Sequence, residues 1–225
     1  EAVRTFSARA LRPLAPPDGD AQQDRVDEPS RTRIQILTEA AIADAAVAML
    51  DAAQHGDALD VVMFYLADRP VIHALKRAAR RGVSLRVLLD PNKDAFGRTK
   101  NGMPNRQAAR ELTAASVPVR WAATHGEQMH AKLLLARHAA GTADLLLGSA
   151  NFTRRNLRDL NLETNVRLID SLDAPVIRDA AAFADRLWTN ADGRVFSLEY
   201  EAFRDDSRRR VWLYRFQEAT GLCTW

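Results

Sequence analysis

Short apolar runs alternate with longer segments of helical periodicity from Ile34 onward. The runs at 58–66 and 83–90 are almost continuously apolar, as expected of strands that are buried on both faces. Further strands are predicted at 34–37, 117–123, 130–137, 143–150 and 161–169. Helices are predicted at 38–53, 69–82, 106–115, 171–190 and 205–221. The pattern therefore predicts an α/β fold in which a mixed central sheet is flanked by helices.

The N-terminal segment has a different character from the rest of the chain. Residues 1–33 are rich in Pro, Asp, Gln and Arg and lack apolar periodicity, which predicts a linker or an N-terminal extension. A single domain is then expected over residues 34–225. Because the sequence begins with Glu1 rather than Met, we expect it to be a fragment or a processed product of a longer protein.

The composition narrows the class of protein without fixing its partner. Hydrophobic residues make up 47% of the 225 residues, which is enough for one sizeable core. The single cysteine, Cys223, excludes an intrachain disulfide and a cage of cysteines around a metal. No run of 18 apolar residues occurs, so no membrane-spanning segment is predicted. The net charge of +3 fits an anionic partner, but it fits an ordinary surface of mixed charge equally well.

One pair of predicted strands, 130–137 and 143–150, carries several polar side chains that could take part in a reaction. Of the five histidines, three fit structural or solvated roles and one in a loop is ambiguous, but His130 lies two residues before Lys132. Side chains at i and i+2 of a strand share a face, so these two should project together. Ser149 and Asn151 share a face for the same reason, within the sequence Gly-Ser-Ala-Asn (148–151). If the two strands pair, an imidazole, an ammonium, a hydroxyl and an amide converge.

This set of groups suits a phosphodiester. A histidine can attack phosphorus or protonate a leaving oxygen, while a lysine and an amide can hold the non-bridging oxygens. The chemistry requires no metal and no other cofactor. The alternative is a polar hairpin rim on which the His–Lys pair is incidental. That alternative would be preferred for His-x-Lys alone, but it is disfavoured once Gly-Ser-x-Asn follows at this separation.

These residues also resemble a known motif. "HAK…GSAN" resembles the HKD motif of the phospholipase D superfamily. Its surroundings, "MFYLAD", "RRGVSLRVLLDPNKDAFGRTKNGMPNR", "THGEQMHAK" and "GSANFTRRNLRDLNLETN", resemble the second, C-terminal half of bacterial phospholipase D-like proteins with two HKD motifs. The resemblance runs from about residue 34 to residue 225. It is specific for the superfamily and says little about the substrate.

The resemblance implies a role for each matched residue. His130 would be the nucleophile or the general acid, Lys132 and Asn151 would bind phosphate, and Ser149 would be a further donor. Glu163 would orient the histidine through its second ring nitrogen, which agrees with the need of an acid–base histidine for a fixed tautomer. On its residues alone, Glu163 would be an exposed strand or loop carboxylate.

Several basic residues nearby have two open interpretations. Arg154 and Arg155 would bind substrate phosphate or lie on a helix surface. The loop at 91–105, with Lys93, Arg98 and Lys100, would form a wall of the substrate cleft or be merely solvated. One departure from the motif concerns Arg137, which occupies the place of the aspartate in His-x-Lys-x₄-Asp. That aspartate is thought to be structural in the family, so its absence concerns local hydrogen bonding more than chemistry.

The resemblance implies only half of an active site. The superfamily chemistry uses two HKD motifs, but His-x-Lys occurs once in this sequence. A second half would precede residue 1 in a longer protein, or two copies of the chain would pair about a two-fold axis. The expected function is phosphodiester hydrolysis or transphosphatidylation of a phospholipid through a phosphohistidine. The alternatives are a metal-independent nuclease and a non-catalytic domain that binds phosphate. The compartment is not fixed, although the resemblance allows a membrane anchor upstream of residue 1.

Overall fold

The computed structural model describes residues 32–95, 98–99, 101–220 and 222. The predicted N-terminal extension therefore lies outside the described residues up to Arg31, and the first strand begins at Arg33. The strands are β1 (Arg33–Thr38), β2 (Ala58–Met63), β3 (Ser84–Leu89), β4 (Asp94–Ala95), β5 (Arg98–Thr99), β6 (Val119–Ala122), β7 (Lys132–Arg137), β8 (Thr142–Gly148), β9 (Thr164–Ser171) and β10 (Ser197–Glu199). The helices are α1 (Ala40–Ala52), α2 (Arg69–Arg80), α3 (Asn105–Thr113), α4 (Arg154–Leu157), α5 (Pro175–Thr189) and α6 (Arg208–Thr220).

Eight of these strands form one mixed sheet, which confirms the predicted α/β class. Their order is β1-β9-β8-β7-β2-β3-β6-β10, and β4 pairs with β5 in a separate hairpin. β2, β3 and β6 run parallel, because α2 and α3 provide the crossovers between them. The remaining pairs of the sheet are antiparallel. This order places β7, with its His-x-Lys sequence, at the centre of the sheet between β8 and β2.

Helices cover both faces of the sheet. Leu134 and Ala136 of β7 point into a large core beneath α1, α2 and α3. Leu133 and Leu135 point to the other face, where α5 packs against them. The alternation along β7 explains why the strand is apolar at almost every position.

Local sequence signals explain where several elements begin and end. Asp68 caps α2 by accepting a hydrogen bond from the Val71 amide at 3.2 Å, and Pro70 lies in the first turn. The predicted strands 58–66, 130–137 and 143–150 are shorter in the structure, because their polar or terminal ends turn away to form the candidate site. The sequence pattern missed β10 and the β4–β5 hairpin, since strands of two or three residues are too short for periodicity to reveal.

Candidate active site

The ends of three neighbouring strands meet around the residues that follow β2. Lys132 pairs in register with Met63, and the Phe64 amide donates to the Ala131 carbonyl at 3.0 Å. On the other side, the Tyr65 amide donates to Oδ1 of Asn151 at 3.2 Å. β7 and β8 pair directly. The structure therefore brings the two parts of the motif to the same end of the sheet.

His130 and Lys132 form a close pair, although His130 precedes the strand rather than belonging to it. The Lys132 ammonium lies 3.2 Å from Nδ1 of His130 and donates to the His130 carbonyl at 2.8 Å. Lys132 is only 7% exposed, whereas His130 is exposed to solvent. The Phe64 ring backs both groups, with its centroid 4.8 Å from the imidazole and 5.3 Å from the ammonium. The expected shared orientation is present, and the ring is accessible to a substrate.

The surroundings of this pair favour its neutral forms. Burial lowers the pKa of Lys132 to about 8, while the nearby charge of Glu163 partly opposes that shift. Burial, and then the charge of Lys132, lower the pKa of His130 below its usual 6.5. The imidazole is therefore neutral at neutral pH and keeps a lone pair for attack on an electrophile.

The position of Lys132 fixes which ring nitrogen carries that lone pair. When the ammonium is charged, it donates to Nδ1, so the single proton of the neutral imidazole lies on Nε2. Attack through Nε2 needs the other tautomer, in which the Nδ1 proton faces an acceptor. The His–Lys contact must therefore loosen before His130 can act as a nucleophile through Nε2.

Glu163 has a different set of partners from the one that the resemblance implies. Its buried carboxylate accepts hydrogen bonds from the Ser149 hydroxyl, from Nδ2 of Asn156 and from Nδ2 of Asn161. Within the described residues, no hydrogen bond joins Glu163 to His130. In this arrangement the carboxylate links the end of β8 to α4 and to the start of β9. An orienting role for Glu163 stays a prediction that requires the ring or the carboxylate to move.

Ser149 and Asn151 differ in how free their side chains are. The Ser149 hydroxyl donates to Glu163 and accepts from the Thr164 amide at 3.0 Å, so it is committed to the fold. The Asn151 amide uses Oδ1 for Tyr65, but its Nδ2 group makes no hydrogen bond within the described part of the chain. Asn151 therefore keeps two N–H donors for a ligand, as expected of a phosphate-binding residue.

Gly148 is required by the sheet rather than by a ligand. A Cβ atom at this position would lie 2.4 Å from the Thr164 carbonyl oxygen and 2.6 Å from Cα of Asn165. Backbone atoms cannot yield to that overlap, so a side chain at position 148 would separate β8 from β9. The glycine of the motif thus permits the close approach of two strands.

Among the described residues, neither predicted arginine forms a hydrogen bond or ion pair with His130 or Lys132. The two arginines also differ from each other in their surroundings. Nη1 of Arg154 donates to the carbonyls of Glu218 and Ala219 at 3.1 and 3.2 Å, near the C-terminal end of α6. Arg155 is exposed on α4. In the loop 91–105, Nζ of Lys93 donates to the Thr124 carbonyl at 3.2 Å, and the side chains of residues 94–100 are outside the described set.

Two buried residues position the site without having been predicted. Asp90, at the end of β3, accepts from the Met129 amide at 2.8 Å and so holds the segment that leads to His130. Asn105 donates to the Phe64 and Asp90 carbonyls and accepts from the Leu66 amide at 2.9 Å. In the sequence, Asp90 is weakly indicated as a site residue, because a carboxylate directly follows an apolar run. No sequence pattern indicates Asn105, because its three hydrogen-bond partners are distant in sequence.

Arg137 lies on the opposite face of the sheet from the reactive pair. It lies five positions after Lys132, and an odd offset along a strand reverses the face. Its guanidinium pairs with Asp60 of β2 at 2.8 Å, and Asp60 also pairs with Arg86. The arginine that replaces the aspartate of the motif is therefore neutralised by an ion-pair network beneath α5. The contacts between His130 and Lys132 on the other face do not involve it.

Within the described residues, no group of three or more His, Cys, Asp or Glu side chains is arranged to hold a metal ion. Across the same part of the chain, no helix is both long enough and apolar enough to cross a bilayer.

Comparison with known proteins identifies the family. The profile of the family described as "Cardiolipin synthase, PLD-like domain" matches residues 46–188. No curated protein sequence matches the chain significantly. Among solved structures, the chain is similar to Nuc from Salmonella typhimurium, a phospholipase D family member, with 18% identity and a TM-score of 0.56; the match covers 75% of this chain and 99% of that one.

Two further structures show the same fold. NucT from Helicobacter pylori has 14% identity and a TM-score of 0.51, over 70% of this chain and 96% of that one. The phosphatidylserine synthase of Haemophilus influenzae Rd KW20 has 12% identity and a TM-score of 0.57, over 86% of this chain and 47% of that one. These low identities establish the fold alone. Because the family profile matches well over half of its residues, the chain belongs to the phospholipase D superfamily, as a PLD-like domain.

Proposed function

We propose that this domain supplies half of a phosphodiester-cleaving site that acts on phospholipids, by hydrolysis or transphosphatidylation, through a phosphohistidine on His130. The observation that carries the proposal is the environment of Lys132. Lys132 is only 7% exposed, yet its ammonium forms no ion pair with a carboxylate in the described structure. A buried cation that contacts no carboxylate is costly, because the more distant charge of Glu163 offsets its desolvation only in part, and a bound phosphate would supply an anion in direct contact.

Phosphate binding would also resolve the tautomer conflict at His130. A non-bridging oxygen that accepts hydrogen bonds from Lys132 and from Nδ2 of Asn151 would draw the ammonium away from Nδ1. Nδ1 could then carry the proton, with Glu163 as the acceptor once the exposed ring turns. In the reaction, the Nε2 lone pair forms the N–P bond as the P–O bond to the leaving alcohol breaks. Water or a second alcohol then attacks phosphorus, gives its proton to the group that protonated the leaving alkoxide, and releases His130 as the N–P bond breaks.

The leaving alkoxide needs a proton from a group on the far side of phosphorus, since the entering and leaving atoms lie roughly in line. One histidine cannot occupy both positions, so we propose that the acid comes from a second HKD half. The favoured source is upstream sequence in a two-motif protein, which would make this chain the C-terminal half. In support, the chain spans about half of the phosphatidylserine synthase that it resembles. A second copy of the chain is the other source.

The proposed preference for phospholipids is supported by the matched family and by one structural neighbour, and not by the geometry of the site. The matched family is described for cardiolipin synthase, and one structural neighbour is a phosphatidylserine synthase. Cleavage of single-stranded DNA in preference to phospholipid vesicles, in parallel assays, would replace this substrate with nucleic acid. Binding of phosphate without turnover in any assembly would make the domain a non-catalytic one.

The experiment measures turnover of a soluble phosphodiester together with mass in solution. We expect residues 1–225 to be folded and nearly inactive as a monomer, because loss of the partner acid commonly costs on the order of 10²–10⁴-fold. Restoring the upstream sequence should recover activity. His130→Ala should then abolish it, while His125→Ala, which removes an exposed histidine, should not. A strictly monomeric chain with full, His130-dependent activity would refute the half-site proposal.

A further inference from the structure

The solvent side of α6 carries apolar side chains that the fold leaves uncovered. Trp212 is 67% exposed, and Leu213 and Phe216 are 38% and 44% exposed. The rings of Trp212 and Phe216 stack on each other with their centroids 5.5 Å apart and an angle of 11° between the planes. Leu222, just beyond the helix, is 72% exposed. Trp212 and Leu222 therefore contribute little to the core, and Leu213 and Phe216 each leave more than a third of their surface in solvent.

Two arginines beside these residues are also unused by the fold. Arg208 and Arg209 are exposed, and neither forms a hydrogen bond or ion pair with any residue that the structure describes. The other arginines of the helix differ, because Arg210 pairs with Asp205 and Arg215 pairs with Glu111. The free positive charge of α6 is therefore concentrated at its N-terminal end.

The free arginines and the apolar residues lie on one side of the helix. At about 100° per residue, positions 208, 209, 212, 213 and 216 fall within an arc of about 140°. Tyr214, which is 1% exposed, lies on the opposite side and packs against Ala67 and Met103. Its packing fixes the orientation of α6, so the exposed side cannot be buried by rolling the helix. We call Arg208, Arg209, Trp212, Leu213 and Phe216 the α6 face.

We propose that the α6 face docks the domain on an anionic phospholipid bilayer. Tryptophan and phenylalanine bury readily at the boundary between head groups and acyl chains, and arginines beside them reach the lipid phosphates. The inference builds on the proposed function and adds a surface by which the domain would reach a substrate that resides in a membrane. The apolar patch is small, so docking depends on the arginines as much as on the rings. The packed side of α6 is also charged and adds no apolar surface to the patch.

The arrangement of the rings favours a bilayer over single-stranded nucleic acid. A platform for bases needs aromatic faces that are free to stack. Here Trp212 and Phe216 cover one face of each other. Leu213 and Leu222 add aliphatic surface, on which bases gain little but acyl chains pack well.

The helix is tied to the segment that carries the motif. Arg154, three residues after Asn151, donates two hydrogen bonds to carbonyls near the end of α6. Docking at the α6 face would therefore hold that segment at a fixed position relative to the bilayer surface.

The test is sedimentation of residues 1–225 with vesicles of phosphatidylcholine alone or mixed with phosphatidylglycerol. We expect binding to the anionic vesicles that weakens as salt is added. Trp212→Ala/Phe216→Ala and Arg208→Ala/Arg209→Ala should each reduce binding at least tenfold. The matched control is Phe183→Ala/Arg178→Ala on α5, which removes an exposed aromatic residue and an exposed arginine from the other face of the sheet. Unchanged melting temperatures would show that all variants fold.

Four outcomes would overturn the inference. Equal loss of binding in the control, or no binding to anionic vesicles, would remove the α6 face as the docking surface. Loss of single-stranded DNA binding with vesicle binding intact would make it a nucleic-acid surface. A fall in mass in solution caused only by the α6 variants would make it a protein interface. Turnover of a soluble phosphodiester by the restored protein separates this inference from the proposed function, since the α6 variants should leave that turnover unchanged.

Discussion

Lys132→Met should make the domain more stable while removing its proposed chemistry. The pKa of Lys132 is about 8 in the folded protein, against an ordinary value of 10.5. At about 1.4 kcal/mol per pH unit, this difference corresponds to a penalty of about 3 kcal/mol for keeping the charge buried at pH 7. Methionine has a similar length and no charge. Its costs are the loss of the cation–π contact with Phe64 and of the hydrogen bond to the His130 carbonyl, together about 1–2 kcal/mol. Relaxation around the charge lowers the penalty further, so a net gain of about 1–2 kcal/mol is expected.

The pH dependence gives this prediction a sharper signature. Because the folded pKa is lowered, both states are protonated below about pH 8, and the folded state bears the full penalty there. Between pH 8 and 10.5 the folded protein loses the proton first, so the penalty shrinks as the pH rises. The stability advantage of Lys132→Met should therefore be full at pH 7 and should disappear by about pH 10.5.

Urea unfolding, followed by circular dichroism at several pH values, measures this difference. Lys76→Met is the control, because the Lys76 ammonium is paired with Glu111 and its loss should not stabilise the protein. A Lys132→Met variant that is less stable at pH 7 would refute the reasoning. An advantage that stays constant through pH 10.5 would refute it as well, since it would then have no electrostatic origin.

Further predictions concern the supports of the site and its chemistry. Asn105→Ala should cost about 3 kcal/mol in urea unfolding, because it removes three buried hydrogen bonds to backbone groups, whereas a cost below about 1 kcal/mol would show that water replaces them. Arg137→Asp should destabilise the fold by about 2–4 kcal/mol through repulsion with buried Asp60, and adding Asp60→Asn should recover at least half of that loss. The acid limb of the turnover profile of the complete protein should fall below pH 6.5, because the pKa of His130 is lowered; a limb above 6.5 would assign it to another group. Turnover should survive EDTA, and a loss that a divalent ion restores would contradict the proposed mechanism.

Much of the fold could be predicted, because its helices show helical periodicity and its central strands are continuous apolar runs. The buried strands β2, β3, β7 and β8 are apolar on both faces, and α2 has a capping Asp68 followed by Pro70. β10 could not be predicted, since three residues in an edge strand give no periodicity. At the end of the sheet that carries the site, the strands were predicted to extend two or three residues too far, because residues of the site continue β2, β7 and β8 without a turn signal.

The site was predictable as a set of residues but not as a set of contacts. The spacing of His130, Lys132 and Asn151 fixed which strand ends would carry them. The partners of Glu163 were not predictable, because Ser149, Asn156 and Asn161 reach it from different elements. Arg154 was equally ambiguous, since its contact with the end of α6 joins residues about 65 positions apart.

The separation of Lys132 and Arg137 onto opposite faces of the sheet has a consequence for how such domains diverge. The ion pairs of Arg137 and Arg86 with Asp60 form beneath α5, away from the face that carries Lys132, so exchanging their signs should leave the contacts of the His130–Lys132 pair in place. Only local charge balance constrains them. In relatives that keep an aspartate at the position of Arg137, we therefore expect a neutral or basic residue at the position of Asp60. The two positions should drift as a coupled pair, while selection on His130 and Lys132 proceeds independently of them.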